Sequence, residues 1–189
     1  MNRVHVIRHG KPAVTWGGED EDPGLDGTGL LQALAVAKEV LALPQDQRPT
    51  RVVSSPLRRC RETAEPLADA LGVEIVIDPR VGEIPTPAAL SHEERPAWLR
   101  QAFDGRWDQI EGDLDYVDWT QGVAAALAEH GGAAVFSHFV ALNAAVGVAT
   151  GRGEVVAFRP DHCSRTVFDI DGDRLILAEK GREAQSQVL

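Results

Sequence analysis

The chain has 189 residues, 43% of them hydrophobic and 25% charged, and its 19 basic against 29 acidic side chains leave a formal net charge of −10. Such a chain is long enough to bury a core without disulfides or a structural metal. Its acidity argues against nucleic-acid and anionic-membrane partners, because those need a basic face to displace counterions from phosphates. The two cysteines, Cys60 and Cys163, are too few for a disulfide framework and read as the reduced thiol pair of a cytoplasmic protein, with a single bridge as the alternative. Arg3, His5, Arg8, His9 and Lys11 break up the N-terminus, so no signal-peptide core is expected there, and no apolar run is long enough to span a bilayer.

In chain order, Arg3 to Ile7 is a β-branched strand that runs into a loop at His9-Gly10 and Pro12. A polar, Gly-rich loop from Trp16 to Gly27 precedes a helix in which Leu30, Leu31, Leu34, Ala37, Val40 and Leu41 recur at helical spacing up to Pro44. Arg51 to Ser54 is a second strand. Pro56 suits the first position of the next helix, whose apolar face is Leu57, Cys60, Ala64, Leu67, Ala68 and Leu71 and which Gly72 closes. Val73 to Ile77 is a third strand. The stretch 78–118 is irregular, with one short helix around Trp98, Leu99, Ala102 and Phe103. A helix from Tyr116 to His130 stops at Gly131-Gly132, Ala133 to Phe136 is a buried strand ending at Ser137-His138, and Phe139 to Ala149 is a buried helix. Thr166 to Ile170 and Arg174 to Leu177, joined through Asp171-Gly172, form a hairpin. Strands alternating with helices predict one domain over residues 1–189: a three-layer α/β/α sandwich with a mostly parallel central sheet and an antiparallel edge strand.

In open α/β sheets the working site lies beyond the carboxyl ends of the strands. Here one strand ends in Arg8-His9-Gly10, another in Ser137-His138, and a third leads through Ser54-Ser55-Pro56 into Arg58, Arg59 and Arg61. If the strands are neighbours, two imidazoles and several guanidinium groups meet on one rim. That set suits a phosphate ester. Phosphoryl transfer spreads negative charge over oxygens that the planar Arg fork binds two at a time, and neutral imidazole is a nucleophile near neutral pH. A phosphohistidine intermediate follows, with a carboxylic acid of raised pKa to protonate the leaving oxygen. Glu83, beyond the third strand, is placed for that task.

Four motifs in sequence are Arg8-His9-Gly10, Leu25-Asp26-x-x-Gly29-x-x-Gln32-Ala33, Ser54-Ser55-Pro56-Leu57-x-Arg59-Cys60-x-x-Thr63-Ala64 and Ser137-His138. In this set and order the chain resembles the histidine phosphatase superfamily, the phosphoglycerate-mutase-like family. The resemblance implies a phosphoglycerate-mutase-like fold. It makes His9 the phosphorylated nucleophile, Glu83 the general acid and base, and His138 a catalytic residue that also joins Arg8 and Arg59 in the phosphate pocket. It implies neither metal nor organic cofactor, and as partners a small phosphorylated substrate and inorganic phosphate. The chain departs from the family pattern where Glu83 leads into Ile84-Pro85-Thr86-Pro87, at Phe139 after the second His, and at Thr15 in place of an Asn. The short length leaves little room for the insertion that covers the site in the mutases. A phosphomonoester hydrolase is therefore expected ahead of a phosphoglycerate-type mutase or a phosphate-binding regulatory module, and the oligomeric state is left open.

The other polar residues have plainer readings. His5 is expected to be a hydrogen-bonded strand residue. A metal pair of His5 and His9 is poor geometry, because four residues along a strand separate their Cα atoms by roughly 13 Å. His92, His130 and His162 are expected to be solvated, as are Arg48, Arg51, Arg58 and Arg61, and Glu93 and Glu94 read as surface residues. Trp98, Trp107 and Trp119 either line the mouth of the pocket or pack. Arg159, Asp161 and His162 lie before the hairpin, where contact with the leaving group is the lesser expectation.

Overall fold

The computed structural model describes residues 2–14 and 20–184. Its elements in chain order are β1 (Arg3–Arg8), α1 (Gly27–Leu41), β2 (Arg51–Ser54), α2 (Arg58–Leu71), β3 (Ile75–Ile77), a 3-10 turn at Pro79–Val81, α3 (Arg95–Phe103), a second 3-10 turn at Trp107–Gln109, α4 (Tyr116–Glu129), β4 (Ala133–Ser137), α5 (Phe139–Thr150), β5 (Arg165–Asp171) and β6 (Arg174–Glu179). The six strands form one sheet in the order β3-β2-β4-β1-β5-β6. The first four are mutually parallel, and β5 and β6 run antiparallel at one edge. This is the expected α/β/α sandwich.

Because side chains alternate across a strand, β1, β2 and β4 each feed two cores. Ile7, Val52, Ala134 and Phe136 pack with α1 and α2 on one face. Val4, Val6, Val53, Ala133 and Val135 pack with α4 and α5 on the other. The strand β4 lies between β1 and β2, pairing Arg8 with Ser137 and Ser54 with Phe136. Three adjacent strands therefore end together, and the bonds His9 N–H to Ser137 O and Ser55 N–H to Phe136 O extend the pairing past the strand ends.

Several local expectations are corrected. On α1 the buried stripe is Gly29, Ala33, Val36, Ala37 and Val40, whereas Leu30, Leu31 and Leu34 are 49%, 69% and 54% exposed. Small residues on the inner face let α1 lie close against α2, and that leaves no room for the leucines. Pro56 precedes α2 rather than opening it, because Leu57 is extended and serves as N-cap, while Gly72 closes the helix in the left-handed region at φ 65°. The Val73 amide is spent on Ala68 O, so β3 begins only at Ile75. Both cysteines are free and buried. Among the described residues no helix is long and apolar enough to cross a membrane.

His130 is not solvated: its Nε2 lies 2.8 Å from Asp78 Oδ2. Asp78 also accepts the Arg80 amide and pairs with the Arg80 guanidinium, which reaches on to Glu129 at the end of α4. Those bonds hold the Asp78 carboxyl well below the usual carboxylate range, the Arg80 side chain contributing most. Trp107 is buried and Trp98 and Trp119 pack against the same core; the Trp107 and Trp119 rings lie 5.7 Å apart, so the tryptophans pack instead of lining a mouth.

His5 sits in β1 as expected, donating from Nε2 to Gln47 O at 3.0 Å and accepting at Nδ1 from Arg165 at 3.1 Å. Burial, and then Arg165, lower its pKa to about 4. The unfolded chain therefore takes up this proton first as pH falls, and stability drops between about pH 6.5 and pH 4 by roughly 1.4 kcal/mol per pH unit for each such group. In urea unfolding across this window, His5→Gln should lower that slope by about one proton's worth; an unchanged slope contradicts the assignment.

Candidate active site

Each strand end delivers a side chain for a local reason. Gly10 follows His9 because a Cβ there would meet Gly29 O at 2.8 Å, and one on Gly29 would collide with the Lys11 backbone. This close approach ties the loop after β1 to the start of α1. The tie is reinforced by Asp26, which caps α1 by accepting the Gly29 amide at 2.7 Å and pairs with Lys11, and by Gln32, which accepts the Lys11 amide. Thr63 on α2 accepts the Gly10 amide at 2.9 Å. The spacing of the Leu25 to Gln32 and Ser54 to Thr63 motifs is thus a set of braces on the loop that carries His9.

At the centre lies Arg59. Its Nε donates to His9 Nε2 and its Nη2 to His138 Nδ1, each at 3.3 Å. A guanidinium has only donors, so both ring nitrogens present lone pairs. The other nitrogen of each ring carries the proton: His9 Nδ1 donates to Gly10 O and His138 Nε2 to Ser55 Oγ, both at 2.8 Å. Burial first, then the neighbouring cations, push both imidazoles well below the usual histidine range, with His138 also acting on His9. The rings lie 5.3 Å apart in an edge arrangement.

Arg8 approaches from β1. It donates to Pro160 O at 2.9 Å and stacks 5.3 Å over the Phe139 ring, which occupies the position after His138. Burial lowers its pKa to about 10, against the pull of Glu83 and Asp161, so it stays charged. Its buried Nε has no hydrogen-bond partner among the described residues, a donor left over for a ligand. Glu83 completes the group: Oε1 accepts the Ile84 amide at 2.9 Å and Oε2 lies 3.7 Å from His138 Nδ1. Burial raises its pKa, more than Arg59, the Ile84 amide and Arg8 lower it.

All five site residues of the sequence reading, Arg8, His9, Arg59, Glu83 and His138, therefore meet. The alternatives do not enter: Glu94 caps its own turn at Ser91, Arg58 pairs with Glu62, and Arg48 and Arg51 bond backbone carbonyls. Thr15 lies outside the described residues. Sequence reasoning gave no role to Ser55, Thr63 or Phe139, although the first two stand inside a quoted motif. His162, expected first as solvated and only second as near the leaving group, is half-buried with its ring 5.8 Å from that of His9. Among the described residues no group of three His, Cys, Asp or Glu side chains is arranged to hold a metal ion.

The model of the histidine phosphatase superfamily, branch 1, matches residues 4–181. The chain belongs to this superfamily. It is 30% identical over 169 residues to a protein of Escherichia fergusonii named probable phosphoglycerate mutase GpmB, covering 80% of this chain and 76% of that one. Superfamily structures share its fold. A phosphoserine phosphatase of Entamoeba histolytica, crystallised with 3-phosphoglyceric acid, aligns with a TM-score of 0.75 at 19% identity over 98% of both chains. A mycobacterial glucosyl-3-phosphoglycerate phosphatase aligns with a TM-score of 0.72 at 20% identity, covering 97% of this chain and 100% of that one.

Nitrogen-15 NMR of the histidine rings in phosphate-free buffer checks the electrostatics. His9 and His138 should stay neutral at pH 6, with the proton on Nδ1 of His9 and on Nε2 of His138. A titration midpoint near 6.5 at either ring contradicts the geometry.

Proposed function

We propose that this chain is a metal-independent phosphomonoester hydrolase that works through a phosphohistidine on His9 and acts on a small phosphorylated substrate. The observation that carries the proposal is the orientation of His9. Its Nδ1–H is held by Gly10 O, and its Nε2 lone pair faces the Arg59 guanidinium, with the charge of Arg8 near enough to act on the ring.

As the phosphate enters, Arg59 exchanges its weak bond to His9 Nε2 for charge-assisted bonds to phosphoryl oxygens, and Arg8 adds its unused donor. The freed lone pair attacks phosphorus in line with the ester bond. That bond breaks with its electron pair on the leaving oxygen, which takes the proton of Glu83, a carboxyl held neutral more readily than usual by its burial. The incoming dianion offsets the field of Arg8 and Arg59 that, after burial, keeps His138 neutral, so that Nδ1 takes up a proton from solvent, donates to the transferred group and returns the proton when phosphate leaves. Water then attacks the phosphoenzyme and gives its proton to the Glu83 carboxylate; the P–N bond breaks and its pair returns to Nε2. No group beyond water is consumed.

A second reading has one observation in its favour, the similarity to a probable phosphoglycerate mutase. A mutase returns the phosphoryl group to a second hydroxyl and releases little phosphate. Hydrolysis is favoured because solvent reaches the pocket edge at the half-buried His162, while the long segment between β3 and β4 places Leu99, Trp107 and Tyr116 in the core.

With excess chelator present, release of phosphate from an aryl phosphate should proceed in the wild type and disappear in His9→Ala. In Arg59→Ala it should fall about 100- to 1,000-fold in kcat, as for loss of one preorganised donor. Turnover that survives in His9→Ala, or that chelator abolishes, contradicts the proposal. Conversion of 3-phosphoglycerate to its 2-isomer without phosphate release would favour the mutase.

A further inference from the structure

His162 lies in a turn that is held in a strained shape. Asp161 O accepts the Ser164 amide and Asp161 Oδ1 the His162 amide. Cys163, at φ 53°, is the one non-glycine residue with positive φ among those described. A β-carbon in that region costs on the order of 1 to 2 kcal/mol and persists only where the surroundings impose it. Here they do: the Cys163 amide donates to Arg8 O, the Arg8 amide to Ser164 O, and the Asp161 amide to Arg182 O. With the Arg8 side chain bonded to Pro160 O, the turn is fastened to Arg8, the residue next to His9. The fastening brings the His162 ring to 5.8 Å from the His9 ring, tilted by 50°.

The position of His162 differs from that of the phosphate cluster. Arg8, His9, Arg59 and His138 are no more than 7% exposed, whereas His162 is half-buried and also lines a cleft of about 100 Å³ with Gln32, Val36, Glu39 and Cys163. Beside His9 and partly open to solvent, it is placed to meet a group that a substrate carries beyond phosphorus. Neither ring nitrogen has a hydrogen-bond partner among the described residues; only its backbone amide is engaged. Burial and the facing Arg8 and Lys11 outweigh Asp161 and Asp26 and lower its pKa to about 4. A neutral imidazole offers one donor and one acceptor side by side, the complement of a hydroxyl, which also donates and accepts.

We propose that His162 binds the leaving group of the substrate through a hydroxyl carried next to the ester oxygen, so that the chain prefers hydroxylated alkyl phosphates over plain alkyl ones. The proposal rests on the hydrolase reading. Its test compares 2-hydroxyethyl phosphate with ethyl phosphate, which differ by that hydroxyl alone, in the wild type, His162→Phe and His162→Gln, with inhibition by vanadate measured alongside.

The wild type should favour the hydroxylated ester. His162→Phe, which keeps a planar ring without nitrogens, should lose about tenfold in kcat/KM on it, the worth of one buried hydrogen bond near 1.4 kcal/mol. On ethyl phosphate it should change less than about twofold, with vanadate inhibition unaltered, and His162→Gln should recover part of the preference. An unchanged ratio between the two esters in His162→Phe, whether both rates hold or both fall, overturns the role of His162 while leaving the hydrolase standing. A wild type that neither hydrolyses any ester nor binds vanadate removes the hydrolase reading and this inference together.

Discussion

One guanidinium shared between two imidazoles organises this molecule. Arg59 cannot give up its proton, so it can face His9 and His138 only if each offers a lone pair, and that single demand sets both tautomers and leads outward to Gly10 O and Ser55 Oγ. The arrangement requires three chain segments to meet, and the sheet order supplies them. The strand β4 separates β1 from β2, so the residues after β1, at the start of α2 and after β4 converge on one point. Burying Arg8 and Arg59 together is costly unless charge is compensated nearby. Glu83, whose burial favours its neutral form, leaves most of that charge uncompensated. A phosphate dianion would compensate it, which gives the proposed anion site electrostatic as well as geometric support.

Around this centre the fold spends polar contacts on stiffness. Gly10 against Gly29, Thr63 on the Gly10 amide and Gln32 on the Lys11 amide fix the loop of His9 from the α1 and α2 side. The quartet of Asp78, Arg80, Glu129 and His130 ties the turn that precedes Glu83 to the end of α4. Ser137 Oγ, bonded to Val81 O at 2.7 Å, joins β4 to that same turn. Preorganised donors stabilise developing charge only when they need not rearrange, and these braces meet that requirement on both faces of the sheet.

Much of this was legible in the sequence. The β-branched strand that leads to His9 and the buried apolar strand that leads to His138 rest on local chemistry that tertiary packing did not override, while the choice of Arg59 over Arg58 rests on the family's Ser-Pro-Leu-x-Arg pattern. What could not be read depended on long-range contact. Leu30, Leu31 and Leu34 look like a core face, but the stripe that is buried is the one with the smaller residues Gly29, Ala33, Val36, Ala37 and Val40. His130 finds Asp78 from 52 residues away. His162 reaches His9 only because Cys163 takes up a backbone conformation for which no glycine or asparagine gives warning. Arg8 is steadied by Phe139 and by Pro160 O, two partners that no spacing rule connects to it.

The central claim is that the Nε2 lone pair of His9 takes the phosphoryl group, and trapping that species tests it most directly. Rapid denaturation during turnover of a phosphate ester, followed by intact-mass measurement and peptide mapping under alkaline conditions that preserve phosphoramidates, should find one acid-labile phosphoryl group, carried by His9 and absent from His9→Ala. A phosphoryl group on any other residue, or continued turnover of the ester with no phosphoenzyme at any quench time, would contradict the account.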